Sequence, residues 1–215
     1  MIKIAPSILA ADPLNLERDV RRAEEAGCDW IHVDVMDAHF VPNLAYTPET
    51  VRRLKERTDV PLDVHLMMDH PETLLDAFLK AGAAVVTLHA ETGDLSGLLE
   101  QIRSSGAKAG VALKPKTPVR DVRKYLGQAD LILAMTVEPG FGGQKLDGTV
   151  PDKIRALRDA GYEGEIEADG GITEENLQGL MDCGLSVAVM GTALFRQEDM
   201  RAAIARMHGF RKTER

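Results

Sequence analysis

Residues Lys80-Ala81-Gly82-Ala83-Ala84-Val85-Val86-Thr87-Leu88-His89 contain the unit from which the architecture is read: a glycine that closes an amphipathic stretch, then a short apolar run. Glycine reaches positive φ at little steric cost, which suits it to the residue just past a helix. The run from Val85 to His89 has the length and apolar content of a strand buried on both faces. The same arrangement recurs at Gly27, Gly106, Gly127, Gly161 and Gly184, ahead of runs from Trp30 to Met36, Ala107 to Leu113, Leu131 to Val137, Glu165 to Asp169 and Ser186 to Met190. Ile2 to Leu9 and Pro61 to Met67 complete the series, the latter following Asp59 in place of a glycine turn. Helical patterns such as Leu14 to Ala26 and Pro48 to Arg57 lie between the runs. Pro48 and Pro71 stand where an early helical residue tolerates a missing N–H.

Eight strand-helix units predict an α/β chain folded as one (β/α)8 TIM barrel over residues 1–215, with a doubly wound open sheet as the alternative. The chain has 215 residues, close to the lower limit of roughly 200 for such a barrel, which excludes a long inserted domain. Residues 208–215 read as a short charged tail and are expected to be mobile.

The formal net charge is −8 and no Lys/Arg-rich run appears, which argues against a nucleic-acid surface. An anionic ligand must then be captured locally, by backbone N–H groups or a few cations. No apolar run approaches the ~18 residues of a membrane span, and the N-terminus turns polar too early for a signal segment. Cys28 and Cys183 are far apart in sequence and precede apolar runs, a pattern of buried reduced thiols that predicts a cytoplasmic setting.

In a barrel, polar residues near the C-terminal ends of strands are the functional suspects. The period of two in His32-Val33-Asp34-Val35-Met36 sends His32, Asp34 and Met36 to one face and Val33 and Val35 to the helices. Asp63-Val64-His65-Leu66-Met67 repeats the pattern one strand later, and Asp169 enters from the seventh expected strand. A single inward histidine is more often a satisfied core residue. Two imidazoles and two carboxylates converging from three strands instead match a site for a divalent ion such as zinc, iron or manganese. Met36, Met67 and Met135 serve as core filler or as the apolar wall of that site.

Three glycine-bearing turns follow the last three expected strands: Glu138-Pro139-Gly140-Phe141-Gly142-Gly143-Gln144, Gly170-Gly171 and Gly191-Thr192. Their unhindered backbone N–H groups suit an anion nest, and phosphate sites in this fold are built from the last βα loops. A Cβ at Gly142 or Gly143 is expected to obstruct close approach to the anion.

These motifs resemble the ribulose-phosphate 3-epimerase family from Ile4 to about Phe195. The resemblance rests on Ala5-Pro6-Ser7-Ile8-Leu9-Ala10-Ala11-Asp12, on His32-Val33-Asp34-Val35-Met36-Asp37 with Phe40-Val41-Pro42-Asn43, and on Asp63-Val64-His65-Leu66-Met67. Met135-Thr136-Val137-Glu138-Pro139-Gly140-Phe141-Gly142-Gly143-Gln144 and Asp169-Gly170-Gly171-Ile172 add to it. It implies a ribulose-phosphate-binding barrel that epimerises D-ribulose 5-phosphate and D-xylulose 5-phosphate at C3 with one divalent metal ion, zinc first and iron, manganese or cobalt as alternatives. Carried over by motif, His32, Asp34, His65 and Asp169 would bind the metal, and Asp34 and Asp169 would transfer the protons. Ser7 and His65 would contact the phosphorylated ketose, while Gly140, Phe141, Gly142, Gly143, Gly170, Gly171, Gly191 and Thr192 would surround its phosphate. The resemblance also implies a homo-oligomer.

The chemistry is coherent without the family. Removing a proton α to a carbonyl needs a base and positive charge near the developing enediolate, and inversion needs a second acid on the other face. Ala38 stands where the family usually has glycine, Leu146 where it has Phe, Ala168 where it has Val, and Tyr46-Thr47-Pro48 replaces a Phe-Gly-Pro type of segment. These departures leave allulose 6-phosphate as an alternative substrate. A non-catalytic metal or sugar-phosphate binding barrel is a further alternative, but binding alone has no need of two aspartates.

Overall fold

The computed structural model describes residues 1–213. In chain order the elements are β1 (Lys3–Pro6), α1 (Leu16–Glu25), β2 (Ile31–Asp37), β3 (Leu44–Ala45), α2 (Pro48–Lys55), β4 (Leu62–Met67), α3 (Leu75–Lys80), β5 (Val85–His89), α4 (Ser96–Ser104) and β6 (Lys108–Leu113). They continue with β7 (Leu131–Met135), α5 (Val150–Asp159), β8 (Glu165–Asp169), α6 (Glu174–Cys183), β9 (Val187–Met190), α7 (Thr192–Phe195) and α8 (Met200–His208).

The strands form one curled sheet in the order β1-β9-β8-β7-β6-β5-β4-β2-β3. All neighbours are parallel except β3, a two-residue strand folded back antiparallel on β2. The sequence reading had no counterpart for β3, because two residues are too few to show a period. The ring closes where β1 meets β2, through a parallel bridge between Ser7 and His32 and a hydrogen bond from Asp29 N to Ile4 O (3.0 Å).

The two faces of each strand divide as the period of two requires. Ile31, Val33 and Val35 of β2, Leu62, Val64 and Leu66 of β4, and Ile166 and Ala168 of β8 join a layer with helical residues such as Val20, Val51, Phe78 and Leu177. The opposite face points into the barrel, where Ala5, Val85, Leu131, Leu133, Met135 and Val189 pack together. Burying one such Leu or Phe side chain stabilises the fold by about 1.5–3 kcal/mol.

Gly27, Gly82, Gly106, Gly161 and Gly184 have φ between 81° and 115°, as the repeated turn predicts. Gly127 departs from this. Its φ is not positive, and no α-helix precedes it; residues 119–125 form two single 3-10 turns, Val119–Asp121 and Arg123–Tyr125. The connection from β6 to β7 is as long as the one from β8 to β9 that holds α6, so length does not explain the missing helix; Pro118 stands immediately before the first of these turns. Pro48 opens α2 behind a Thr47–Thr50 capping box, whereas Pro71 opens a 3-10 turn before α3. At the end of the chain, α8 closes at His208, and Arg211 O and Thr213 N hydrogen-bond Gln178 Nε2 and Asp182 Oδ1 of α6 (both 2.9 Å). Glu214 and Arg215, the last residues of the tail expected to be mobile, lie outside the described residues.

Cys28 and Cys183 are both buried and free. Among the described residues, no helix is long and apolar enough to cross a membrane.

Candidate active site

A cavity of about 570 Å³ opens at the C-terminal ends of the strands. Ser7, Asp34, Met36, Met67, Met135 and Asp169 line its floor, and Gly140, Phe141, Gly142, Gly143, Gly170, Gly171, Gly191 and Thr192 line its rim. Asp169 ends β8, whereas Asp34 and His65 lie one inward position before Met36 and Met67. Register explains the convergence: Asp34 lies beside His65, Met36 beside Met67, and Asp169 beside Met135 and Val189.

His32, Asp34, His65 and Asp169 each bring one ligand atom to a common region, all within 4.8 Å of one another. Ligands about 2.1 Å from one ion lie no more than about 4.2 Å apart, so the cluster needs to contract by at least about half an ångström to close on a metal. The hydrogen bonds favour it as well. His32 Nδ1 lies 2.6 Å from Asp63 Oδ2, so the imidazole donates there and turns Nε2 toward the cluster. Nε2 is fully buried without a hydrogen-bond partner. A carboxylate behind a histidine whose other nitrogen is bare is the usual outer support of a metal-binding imidazole. The donor set, two nitrogens and two carboxylates, fits a divalent ion of the zinc or iron type.

Asp34 is at the centre. It accepts the Ser7 hydroxyl at 2.6 Å, and its other oxygen lies 3.3 Å from His65 Nδ1 and 3.4 Å from His32 Nε2. Burial disfavours its charge, but the two histidines outweigh burial and hold the carboxyl well below the usual range. Asp169 moves the other way: burial and then the Asp34 charge push it up to about 7. The two carboxyls thus have opposite preferences for a proton, and a bound cation would draw Asp169 back toward ionisation. Burial disfavours protonation of His32, yet the Asp63 and Asp34 charges carry its pKa well above normal.

His32 and His65 are fully buried and do not line the cavity. The contact with substrate that the sequence assigns to His65 is therefore not offered at the cavity wall, because its ring is enclosed between Asp34 and His89.

The glycines at the rim play different parts. Gly140 (φ 120°) docks its loop on the β2–β3 turn, its carbonyl accepting from Asn43 Nδ2 at 2.8 Å. Gly170 and Gly171 pack against protein: a Cβ on Gly171 would lie 2.4 Å from Leu146 N and 2.7 Å from Gln144 O. Gly142 faces open space, with nothing within 4 Å of an added Cβ. Lys145 is the one cationic side chain among the described lining residues, so an anion bound here meets mainly backbone N–H groups. The helix after Gly191 has only four residues and contributes little dipole.

Sequence reasoning passed over Asp63, His89, Glu91 and Glu167. All but Glu91 are fully buried in strands with side chains turned inward. The signal was available: Asp63 and Glu167 share inward parity with His65 and Asp169. Both Glu167 oxygens and Asp63 Oδ1 lack hydrogen-bond partners, and burial, then the Asp63 charge, pushes the Glu167 pKa well up. Tyr46 was noticed only as a departure. Its hydroxyl donates to Ile8 O at 2.7 Å and ties the β3 turn to the segment that carries Ser7.

Comparison with solved structures gives the class first. Phosphoribosyl anthranilate isomerase from Thermus thermophilus superimposes with a TM-score of 0.73 at 18% identity, covering 98% of this chain and all of that one. 3-Hexulose-6-phosphate synthase gives 0.67 at 19% identity over 97% and 99%. At such identities the likeness establishes the fold, that of the TIM-barrel enzymes. Sequence comparison is more specific. The profile of the Ribulose-phosphate 3 epimerase family matches residues 3–195. Ribulose-phosphate 3-epimerase of Bacillus subtilis (strain 168) is 43% identical over 97% of this chain and 99% of its own length. The chloroplastic ribulose-5-phosphate-3-epimerase of Arabidopsis thaliana is 45% identical over 94% and 75%. The chain belongs to the ribulose-phosphate 3-epimerase family.

Proposed function

We propose that this chain is a ketose-phosphate 3-epimerase that interconverts D-ribulose 5-phosphate and D-xylulose 5-phosphate, with all 215 residues forming one catalytic domain. The observation that carries the reading is the placement of two carboxyls, Asp34 of β2 and Asp169 of β8, at one cavity, where the roles of base and acid can be divided between them. Epimerisation at C3 needs that division: an ionised carboxylate takes the C3 proton, the C–H electron pair moves toward the C2 carbonyl to give an enediolate, and the second carboxyl delivers a proton to the opposite face. In the reverse direction the two exchange roles.

The other residues bind and orient. Ser7 fixes one Asp34 oxygen through its hydroxyl, and Met36, Met67 and Met135 give the floor an apolar surface that excludes water from the enediolate. Gly140, Phe141, Gly142, Gly143, Gly170, Gly171, Gly191 and Thr192 form the rim assigned to the phosphate. His32, Asp34, His65 and Asp169 would hold the divalent ion, zinc being the first choice for this donor set with iron, manganese or cobalt as substitutes. When bound, the ion supplies positive charge beside the carbonyl being polarised. The reading carries with it a homo-oligomer and a reducing cytoplasmic setting, the latter supported by the two free buried cysteines.

Metal removal is the direct test. Turnover of D-ribulose 5-phosphate is expected to vanish on chelation and return with added divalent ion, and full activity in protein shown by elemental analysis to be metal-free would sink the assignment. Running allulose 6-phosphate in parallel checks the substrate, since a higher kcat/KM for the six-carbon sugar would move the function to that epimerase.

A further inference from the structure

Behind His65 lies a chain of hydrogen bonds that does not reach the cavity. His65 Nε2 is 2.8 Å from His89 Nε2, and His89 Nδ1 is 3.0 Å from Glu91 Oε2. The other Glu91 oxygen accepts from Lys114 N at 2.8 Å and from the Thr117 hydroxyl. Both imidazoles are fully buried, and neither lines the cavity.

Counting protons along this chain leaves one consistent arrangement for neutral rings. Glu91 accepts from two groups at one oxygen, so the bond at its other oxygen is donated by His89 Nδ1. A neutral His89 then has a bare Nε2. Two ring nitrogens 2.8 Å apart need one proton between them, and it must belong to His65 Nε2. His65 Nδ1 is then bare, and it faces Asp34 Oδ1 at 3.3 Å with a lone pair against a carboxylate oxygen. Two acceptors meet there, which is unfavourable unless a cation lies between them.

We propose that His89 and Glu91 are positioning residues that hold His65 in the Nε2–H tautomer, so that its Nδ1 lone pair is presented to the cluster of His32, Asp34 and Asp169. The inference rests on the reading of that cluster as a metal centre. Asp63 does the same for His32 by accepting from Nδ1 and leaving Nε2 bare. The two histidines thus face the cluster with opposite ring nitrogens, each fixed by its own chain of acceptors. Phe40 packs against the His89 ring with centroids 4.5 Å apart, and Lys114 Nζ lies 3.8 Å from the centre of Phe40. These contacts cover the chain of bonds on one side.

The test uses the full chain labelled with ¹⁵N-histidine, in three variants. Long-range ¹H–¹⁵N spectra report the His65 tautomer without metal, and the visible absorption of added Co²⁺ reports affinity without turnover. His89→Phe removes the acceptor at similar bulk, and is expected to give a mixed His65 tautomer and Co²⁺ binding weakened about 10–100-fold. His89→Gln restores an acceptor oxygen near Nε2 and should recover most of that loss. Glu91→Ala, in the turn after β5, should shift the tautomer in the same direction as His89→Phe and serves if the core variant fails to fold. An unchanged tautomer and Co²⁺ affinity in the folded variants overturn the inference while leaving the metal centre standing. If His89→Gln binds as weakly as His89→Phe, the loss is one of packing and the inference again falls. A wild-type protein that takes up no Co²⁺ overturns the metal reading itself.

Discussion

Substituting Gly171 by Ala sets two costs against a loop. At φ +62° an alanine in the left-handed region costs about 1–2 kcal/mol. Its Cβ would stand 2.4 Å from Leu146 N, 2.7 Å from Gln144 O and 2.9 Å from the Lys145 carbonyl carbon. Ordinary contact begins near 3.4 Å, so the backbone of residues 144–146 must retreat by about 1 Å, an overpacking cost of about 1–3 kcal/mol if nothing yields. The segment does yield in part, because Phe141, Gly142 and Gly143 before it are exposed. It is anchored by Asp147 N to Thr136 O (2.7 Å) and by Gln144 Nε2 to Glu138 O (2.8 Å). The strain should therefore appear half as lost stability, about 2 kcal/mol, and half as a displaced anion cradle, with kcat/KM down about 10–100-fold, or about 1.4–2.7 kcal/mol. The assay is kcat/KM together with inhibition by inorganic phosphate, beside the urea midpoint. Gly142→Ala is the control. Its Cβ meets nothing within 4 Å, so the urea midpoint should not move, and only anion affinity should fall. Wild-type kcat/KM and phosphate affinity in Gly171→Ala would refute the argument that this glycine sets the position of the 144–146 loop.

Two further outcomes follow from single residues. Ala38 has φ +62°, where a glycine relieves steric strain, so Ala38→Gly should raise stability by about 0.5–1 kcal/mol after the entropy of the added glycine is counted; a lower urea midpoint would contradict it. Burial, then the nearby Asp29 and Glu24 charges, pushes the Cys28 thiol up to about 12. At pH 8 it should stay protonated and fail to react with a disulfide reagent until the chain unfolds; rapid labelling of native protein at Cys28 would contradict it.

The barrel was legible in the order of glycine turns and apolar runs, the shared face of His32, Asp34 and Met36 and of His65 and Met67 in strand parity, and Asp169 in its place at the end of an expected strand, because strand geometry alternates faces with period two whatever surrounds it. Residues 119–125 were not legible as 3-10 turns, since Gly127 carries the same local signal as the true left-handed glycines and the connection from β6 to β7 is as long as those that hold helices. Tertiary structure alone decided how the groups are used. Which nitrogen of His65 is bare depends on His89, 24 residues away in sequence. Which aspartate keeps a proton depends on burial and on the charges of Asp34, His32 and Asp63 beside Asp169. Which glycine is a wall and which an opening depends on the chain segment packed opposite, Leu146 at Gly171 and nothing at Gly142. Local pattern determines the direction in which a side chain leaves the backbone, whereas protonation, tautomer and free space are set by through-space neighbours from distant parts of the sequence.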